Sequence, residues 1–521
     1  MCLFGFFYVN LQRTSSDYKN VMEIDYSWIL ILSAIMAYGG TSIIYRKVLK
    51  VAKIRRLTDN PNERKLQKSP VPVLGGLAVF FGMICGLLLA GSLFVQCTDI
   101  KSLVGGRLFV STIFDLFPVM MACSILLFIG MVDDLIGLSP LFRLIVECLA
   151  ILLMCLCSGL CVDNMYGLFG VESFSWWIGI PLTVFAGVGI INAYNMVDGV
   201  DGLSTGLCIT TAPVLMAIFM KRQDWADASL LACFTASLIP FLLHNVFGKK
   251  SRMFIGDAGT MVMGALFTWC LIQCLSSRGM MSNLSETDPD VVMCLPVMMF
   301  SVASVPVLDT LRVMAVRKMQ GKSVFQGDRN HLHHKFVDAG ISPAVTSCSE
   351  ILLNALVILA WYVSYKSGLW QMGQLVVTLS VAVVLVWGTY FFLDRRENYN
   401  SYILNLMRRF SVLSHIERRK TWKRVQRFVD KGSYEDMTEF VMRRMDSDGD
   451  LNGMDMDVIS VMNYLQDSNK TKVSALAKNL KIDVVRVQNI LKELDRKKLV
   501  EVLERNDAGE IVKVKMGRLS E

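Results

Sequence analysis

The apolar residues of this chain are gathered into long runs that are separated by short polar connectors. A helix that crosses the hydrocarbon of a bilayer needs roughly 20 mostly apolar residues. Eleven runs approach that length, and we predict a membrane-spanning helix in each. The runs cover residues 28–45, 73–95, 117–132, 144–161, 176–191, 203–220, 228–247, 260–276, 291–314, 350–364 and 375–393.

Composition agrees with this pattern and argues against an ordinary soluble protein. The 521 residues are 53% hydrophobic, and the mean hydropathy is +0.45. Soluble domains are roughly 45–50% apolar by a looser count. The sequence therefore predicts an all-α polytopic membrane protein with about 11 transmembrane helices, followed by a soluble C-terminal module.

The C-terminal module, residues 466–521, shows a different pattern of apolar positions. Val473–Leu480 and Asp483–Leu494 have the spacing of amphipathic helices, and Val500–Leu503 with Ile511–Val514 has the pattern of a hairpin. Two helices followed by a hairpin resemble a winged helix-turn-helix. Acidic and basic residues are mixed on the longer helix, which argues against nucleic acid. Because the module is tethered to the membrane, a protein partner or intramolecular regulation is favoured.

The patterns divide the chain into four predicted parts. These are an extracytoplasmic N-terminal segment at 1–25, a transmembrane domain at 26–395, a charged cytoplasmic helical segment at 396–465 and the winged-helix-like module at 466–521. The first residues do not have the pattern of a signal peptide. Met22 stands just before the first strong run, so either Met1 or Met22 is compatible with the start of translation.

Lysine and arginine are distributed unequally between the two sets of connectors. The connectors after runs 1, 3, 5, 7 and 9 carry 19 of these residues, whereas the other set and the N-terminal segment together carry 8. Cytoplasmic connectors carry the excess of basic residues in membrane proteins. We therefore predict that the first set and the C-terminal tail face the cytoplasm.

Polar side chains that are costly in a membrane occur beside this same set of connectors. Asp133 and Asp134 end the third run, and Asp257 stands between glycines at the start of the eighth, where a helix N-terminus can bind metal-bound phosphate. A further cluster follows the fifth run and begins at helical spacing: Asn192, Asn195, Asp198 and Asp201. Oxygen ligands of these kinds suit Mg2+.

Two more clusters lie on the predicted cytoplasmic side. Arg64 and Lys65 in the first connector suit phosphate, although the same residues are typical of a simple positive-inside anchor. Three of the five histidines, His331, His333 and His334, fall in one tetrapeptide. A zinc site would need further Cys or Glu ligands at suitable spacing, so hydrogen bonding to sugar and diphosphate is the better interpretation.

These clusters, in this order, resemble the polyprenyl-phosphate N-acetylhexosamine-1-phosphate transferase family, glycosyltransferase family 4. The resemblance covers about residues 25–395 and rests on the paired aspartates, on Asn-Met-Val-Asp-Gly-Val-Asp-Gly at 195–202 and on His-Leu-His-His at 331–334. The last two motifs are similar to the GlcNAc-1-phosphate transferase branch. The resemblance implies an eleven-helix fold, a cytoplasmic active site and a requirement for Mg2+.

The resemblance also implies a role for each motif residue. Asp133, Asp134 and Asp257 are the expected catalytic residues, of which Asp133 deprotonates or positions the polyprenyl phosphate and Asp134 supports the metal site. Asn195 and Asp257 are the expected Mg2+ ligands. The expected substrate-binding residues are Arg64, Lys65, Asn192, Asp198, Asp201, His331, His333 and His334.

The implied reaction moves HexNAc-1-phosphate, with GlcNAc expected, from a UDP-sugar to undecaprenyl phosphate and releases UMP. It would be the first membrane step of cell-envelope glycan synthesis at a bacterial inner membrane.

Gln67 and Glu147 depart from the family pattern, where relatives commonly have His and Gln. Another UDP-HexNAc is the nearest alternative. A membrane sensor or transporter with a regulatory tail is an alternative of another class, but it leaves the Asp and His clusters unexplained.

Overall fold

The protein is described by a computed structural model that forms two compact units, Met1–Lys431 and Gly432–Glu521. The structure describes residues 27–55, 57–59, 70–97, 103–222, 224–280, 289–323, 329–395, 401–416, 425, 429–430, 461, 464–465, 471–480, 482–496, 500–506 and 511–516. The first unit contains the apolar runs and the polar clusters between them. The second unit contains the winged-helix-like module.

Helices of the first unit follow the predicted apolar runs. They are α1 (Ser27–Ile54), α2 (Gly75–Cys97), α3 (Leu103–Ile136), α4 (Pro140–Ser158), α5 (Trp176–Val197), α6 (Leu203–Lys221), α7 (Trp225–Phe247), α8 (Gly256–Leu275), α9 (Ser277–Met280), α10 (Pro289–Met319), α11 (Leu332–Asp338), α12 (Pro343–Lys366), α13 (Gln371–Val383), α14 (Thr389–Asp394) and α15 (Tyr402–Ile416).

Eleven helical segments of the described chain are long and apolar enough to cross a membrane. They are α1 to α8, α10, α12 and a last segment in which a π-helical turn at Val384–Gly388 joins α13 to α14. Each of the eleven predicted runs is confirmed as one of these helices. The multi-pass membrane architecture is therefore already present in the lengths of the apolar runs.

Helix α8 lies at the centre of the bundle and carries Asp257 in its first turn. Of its apolar stretch, 94% is buried inside the protein, whereas the outer helix α1 is 28% buried. Helices α2, α3, α5 and α10 pack around it. A helix that is apolar on all sides is typical of such a buried position.

Small residues allow α8 to approach its neighbours closely. A Cβ atom at Gly130 of α3 would collide with the backbone of Ala258, and one at Gly76 of α2 would collide with the backbone of Gly259. Lipid is as apolar as the side chains, so there is little hydrophobic driving force for helices to associate in a membrane. They associate instead through close packing at such small residues. The two contacts fix the first turn of α8 against the ends of α2 and α3.

The connector between α1 and α2 is closed at its base by a short antiparallel pair of strands. Strand β1 (Thr58–Asp59) pairs with β2 (Val71–Pro72). The backbone of Phe254 then joins this base to the approach of α8, because its N–H donates to Pro72 O at 2.8 Å and its carbonyl accepts from Gly75 N at 2.9 Å. The base of the first connector therefore lies beside the start of α8.

The second unit has the element order that the sequence predicted. Strand β3 (Thr471–Lys472) is followed by helices α16 (Val473–Leu480) and α17 (Val484–Arg496), and strands β4 (Val500–Arg505) and β5 (Ile511–Met516) form an antiparallel hairpin. Strand β5 lies between β3 and β4. The two helices and the hairpin are confirmed, and the likeness to a winged helix stays a prediction.

Candidate active site

Polar side chains from four helices converge on the guanidinium of Arg143, in the first turn of α4. Its Nη1 lies 2.9 Å from Oδ2 of Asp133 and 3.3 Å from Oδ2 of Asp257. Its Nη2 lies 3.4 Å from Oδ1 of Asn195, and its Nε lies 3.5 Å from Oε1 of Glu147. One cation is thus shared by three carboxylates and an amide where the ends of α3, α4, α5 and α8 meet. We call these five residues the arginine-centred cluster.

Asp134 does not contact Arg143 but closes the N-terminus of α8. Its Oδ1 accepts from the N–H of Asp257 at 2.9 Å, and its Oδ2 accepts from the N–H of Ala258 at 3.3 Å. The first N–H groups of a helix have no partner inside the helix, and a carboxylate there is also favoured by the helix dipole. Asp257 therefore does not cap its own helix, and its side chain is available to the arginine-centred cluster.

Asn192 and Asn195, one turn apart on α5, both face the arginine-centred cluster. The Nδ2 of Asn195 donates to Oδ1 of Asp257 at 2.6 Å and to Oγ1 of Thr260 at 2.9 Å. The Nδ2 of Asn192 donates to Oε2 of Glu147, whose side chain is 1% exposed. The helical spacing seen in the sequence therefore brings both amides to one face, and Glu147 is satisfied by Arg143 on one oxygen and Asn192 on the other.

Asp198 and Asp201 lie in the turn between α5 and α6 and form a second acidic pair. Asp198 accepts from Oγ of Ser204 at 2.5 Å. Asp201 pairs with Nη2 of Arg252 at 2.5 Å and accepts from Nδ2 of Asn245 at 3.4 Å. Burial raises the pKa of Asp198 to about 7 and also raises the pKa of Asp201, against which Arg252 acts.

Asp309, on α10, fixes the start of the histidine-bearing helix α11. It is 1% exposed and accepts from Arg312 Nη2 at 2.6 Å and from the N–H of Leu332 at 3.3 Å, and it lies 2.9 Å from Nδ1 of His331. Arg312 also stacks on the ring of Tyr390, with the guanidinium carbon 3.6 Å from the ring centroid. These partners offset the free-energy cost of burying the Asp309 carboxylate.

The histidine segment meets the Asp198–Asp201 turn through His333. A Cβ atom at Gly199 would collide with Nε2 of His333, so only glycine allows this approach. Burial lowers the pKa of His333 well below its usual range and lowers the pKa of His334 to about 4. Both rings are therefore neutral near pH 7, and the buried Nδ1 of each has no hydrogen-bond partner within the described part of the chain.

The donor set of the arginine-centred cluster fits a hard divalent cation. Asp133 and Asp257 present carboxylate oxygens and Asn195 presents an amide oxygen toward one positive group, the guanidinium. Within the described residues, no three His, Cys, Asp or Glu side chains are arranged as a metal cage. Mg2+ is usually held by one or two carboxylates together with substrate phosphate oxygens, so the absence of a cage here is compatible with it.

Comparison with known proteins finds a family model that matches part of the chain. Residues 116–275, which run from α3 to the end of α8, match the model of glycosyl transferase family 4. This match and the relatives described below support glycosyl transferase family 4. The matched stretch contains every residue of the arginine-centred cluster, together with the pair of Asp198 and Asp201, so the family match and the convergence of side chains fall on the same part of the fold.

Individual relatives of this family are similar over more than half of the chain. An undecaprenyl-phosphate alpha-N-acetylglucosaminyl 1-phosphate transferase of Escherichia coli O157:H7 is 28% identical over 333 residues, which are 60% of this chain and 79% of the relative. The protein of the same name from Yersinia pestis is 29% identical over 300 residues, which are 56% and 73%. That from Salmonella typhimurium is 28% identical over 305 residues, which are 58% and 75%.

The structure brings the predicted site residues into three neighbouring groups. Asp133, Asn195 and Asp257 meet at Arg143, and Asp134 supports them through α8. Asn192 joins the same cluster through Glu147. The other two groups are the pair of Asp198 and Asp201 and the segment of His331, His333 and His334. The roles assigned to these residues stay predictions, and Arg64, Lys65 and Gln67 lie outside the described residues.

Three residues of the site received little weight from the sequence pattern. Arg143 stands just before the fourth apolar run and Glu147 lies within it, and Asp309 lies five residues before the end of the ninth run. An ionisable residue within a membrane helix is by itself a sign of a functional site. That signal would have found all three, but it does not show the partners that come from other helices.

Proposed function

We propose that this chain transfers a HexNAc-1-phosphate, with GlcNAc-1-phosphate as the expected group, from a UDP-sugar to undecaprenyl phosphate and releases UMP. The observation that carries the proposal is the convergence of Asp133, Asp257 and Asn195 on Arg143 at the end of the bundle. The names of the relatives, which specify N-acetylglucosaminyl 1-phosphate transfer and undecaprenyl phosphate, supply the substrate class.

The proposed reaction is a phosphoryl transfer that conserves charge and atoms. An oxygen of the lipid phosphate forms a bond to the sugar-linked phosphorus of the UDP-sugar. The bond between that phosphorus and the oxygen bridging to the uridine phosphate breaks, and UMP leaves with both electrons of that bond. Little covalent chemistry is left for the protein, so catalysis rests on positioning and on stabilising charge.

Repulsion between the anionic substrates is the main obstacle that the residues must offset. The guanidinium of Arg143 lies at the centre of the cluster and can form paired hydrogen bonds to phosphate oxygens. Asp133, Asn195 and Asp257 would hold Mg2+ beside it, as their oxygen donors allow. When bound, Mg2+ supplies positive charge that offsets the repulsion and stabilises the transition state.

The carboxylates of the paired aspartates have different proposed tasks. Asp133 presents its Oδ2 to the centre of the cluster, so it is the candidate for positioning or deprotonating the lipid phosphate. Asp134 has both oxygens committed to the N–H groups of α8. Its support of the metal site would therefore be indirect, through the position of Asp257.

The nucleotide and sugar are assigned to the other two groups. Asp198 and Asp201, with Arg252 beside them, lie in the turn that approaches His333, and they are the candidates for contacts with the nucleotide. The neutral rings of His333 and His334 can donate or accept hydrogen bonds without adding charge. That property suits sugar hydroxyls and diphosphate oxygens.

We also propose a location for the reaction. The connectors that carry the arginine-centred cluster and the histidine segment are those with the excess of Lys and Arg, which favours the cytoplasmic side. A UDP-sugar is a cytoplasmic metabolite, and the polyprenyl chain stays in the bilayer. A bacterial inner membrane, with the site on its cytoplasmic surface, meets both needs.

UMP release from UDP-GlcNAc tests the proposal. The full-length chain in nanodiscs is given undecaprenyl phosphate with and without Mg2+, beside Asp257→Asn and the matched surface variant Asp495→Asn. We expect Mg2+-dependent release that falls by about a hundredfold or more in Asp257→Asn, since the variant loses a charge at the transition state, and that is unchanged in Asp495→Asn.

Two other outcomes are informative. Release from a different UDP-HexNAc, but not from UDP-GlcNAc, would retain the reaction and replace the donor. A folded protein that releases UMP from no UDP-sugar would contradict the proposed function.

A further inference from the structure

The chain beyond the last membrane helix packs against the histidine-bearing helix α11. Leu404 of α15 is 1% exposed and belongs to one apolar cluster with Leu332 and Phe336. Nε of Arg408 donates to Ala339 O at 2.9 Å, and Oγ of Ser411 accepts from the N–H of Ser342 at 3.2 Å. Helix α15 therefore packs against α11 and the turn that follows it.

The same part of the chain reaches a second point of the site through Asp430. The Oδ1 of Asp430 accepts from the N–H of Ser251 at 3.1 Å and from its Oγ at 2.7 Å. Its Oδ2 accepts from the N–H of Lys249 at 3.3 Å. The three donors belong to the connector between α7 and α8, residues 248–255, which we call the α8 connector.

The contact at Asp430 has the features of a built anion site. Ser251 is 1% exposed and the neighbouring Val429 is 5% exposed, so the carboxylate is held at a largely closed surface. Backbone N–H groups that point to one anion form a concave binding site, and the ionised acceptor strengthens each bond. Lys249, Lys250 and Arg252 give the same connector three positive charges.

The α8 connector leads directly to the residues assigned to the nucleotide. Arg252, next to Ser251, forms the 2.5 Å ion pair with Asp201. Ser251 is held from the other side, where Oη of Tyr45 donates to its carbonyl at 2.6 Å. Asp257 is less dependent on this connector, because Asp134 and Asn195 hold it through separate contacts.

We propose that Asp430 is a positioning residue for the donor site: it holds the α8 connector so that Arg252 keeps Asp201 in place. Asp430 would then hold the connector, and α15 would hold α11, so that the groups that approach the nucleotide and the sugar keep their positions. This inference rests on the proposed function. It predicts that loss of the Asp430 contact weakens donor binding and leaves the chemical step nearly intact.

Steady-state kinetics and nucleotide binding test this together. The full chain in nanodiscs is compared as wild type, Asp430→Asn, Asp430→Glu, Ser251→Ala and the double variant Asp430→Asn with Ser251→Ala. Asp495→Asn, at a half-buried carboxylate of the second unit that pairs with Arg505, is the control. UDP-GlcNAc is varied at saturating undecaprenyl phosphate. UMP binding is measured by calorimetry on the same samples, and thermal unfolding is followed to report folding.

In Asp430→Asn we expect KM for UDP-GlcNAc and Kd for UMP to rise on the order of tenfold, which corresponds to the loss of one charge-assisted contact, while kcat changes less than about twofold. Ser251→Ala should also raise KM and Kd. The double variant should show the same KM and Kd as Asp430→Asn, because both changes remove the same contact. Asp430→Glu should recover part of the affinity, and Asp495→Asn should match wild type.

Unchanged KM and Kd in Asp430→Asn would overturn the inference. A fall in kcat and in unfolding temperature without a change in KM or Kd would also overturn it, because the contact would then be structural only. A wild type that binds UMP but releases none from any UDP-sugar would defeat the proposed function alone, since the comparison of UMP affinities would still decide whether Asp430 positions the connector.

Discussion

At the scale of single residues, the site contains buried charged side chains, each of which is stabilised by several partners. A guanidinium at the membrane boundary costs free energy unless its hydrogen bonds are made. Arg143 makes them with Asp133, Asn195 and Asp257, and Glu147 adds a fourth contact. The fork of an arginine spans these separate acceptors, whereas a lysine presents a single ammonium group.

Arg143→Lys should therefore retain the fold and lose most of the activity. The charge stays, but one ammonium cannot bridge acceptors that come from three other helices. We expect UMP release to fall by about 10- to 100-fold, consistent with the loss of one or two charge-assisted hydrogen bonds, and the unfolding temperature to change little. Activity within a factor of two of wild type would show that the charge alone suffices.

Asp198 should make the stability of the protein depend on pH. Burial raises its pKa from the ordinary value of 3.8 to about 7, so the folded state favours the neutral carboxyl. Stability from this group is present below about pH 4 and is lost as the pH rises through 7. Asp198→Asn should therefore unfold at a higher temperature than wild type at pH 8 and at a similar temperature near pH 4.

Thermal unfolding of both proteins in the same detergent, at intervals from pH 4 to 8, measures this difference. Equal pH dependence in wild type and Asp198→Asn would assign the effect to other groups. A variant that is less stable at every pH would instead show that the hydrogen bond from Ser204 outweighs the burial of the charge.

At the scale of helices, the site depends on how closely α3 and α8 approach. Asp134 can reach the N–H groups of Asp257 and Ala258 only because Gly130, one turn earlier on α3, leaves room for the backbone of α8. The arrangement joins a packing requirement to a functional one. The glycine is needed for the approach, and the approach puts Asp257 into the arginine-centred cluster.

Gly130→Ala should reduce both stability and activity, because its Cβ would collide with the Ala258 backbone. Overpacking of this kind costs about 1–3 kcal/mol. Gly189→Ala in α5 is the matched control, since no atom lies within 4 Å of the position of its added Cβ. Unfolding temperature and UMP release should fall in the first variant and stay unchanged in the second; equal behaviour would remove the packing argument.

At the scale of the whole molecule, the polar groups gather at one end of an apolar bundle. The ends of α3, α5 and α10 and the starts of α4 and α8 contribute to it. These are the ends that adjoin the connectors rich in Lys and Arg. The opposite connectors, such as that between α4 and α5, should therefore face the outside of the cell.

Labelling with a membrane-impermeant maleimide tests this orientation. Glu172→Cys, in the exposed connector between α4 and α5, should react in intact cells, whereas Lys322→Cys, exposed after α10, should react only in permeabilised cells. Both are made in a Cys157→Ser, Cys348→Ser background, which removes the exposed cysteines of the described chain. The reverse pattern would invert the topology and move the site outside.

Local patterns along the chain were enough to predict which segments are helices and which residue types are available for chemistry. Length and hydropathy fix a membrane helix almost independently of its neighbours, so all eleven runs and the hairpin at Val500–Arg505 and Ile511–Met516 could be predicted. The spacing of Asn192 and Asn195 likewise fixed a shared face, because helical geometry is local. The clusters could be recognised, but their partners could not.

Only the tertiary structure decided which of these groups meet. Asp133 and Asp134 are adjacent in the chain, yet one faces Arg143 and the other caps a helix that begins more than a hundred residues later. Asp430 contacts Ser251 across 179 residues. Such contacts depend on how helices pack, and packing depends on the shapes of side chains from several segments at once. A local sequence pattern does not contain that information.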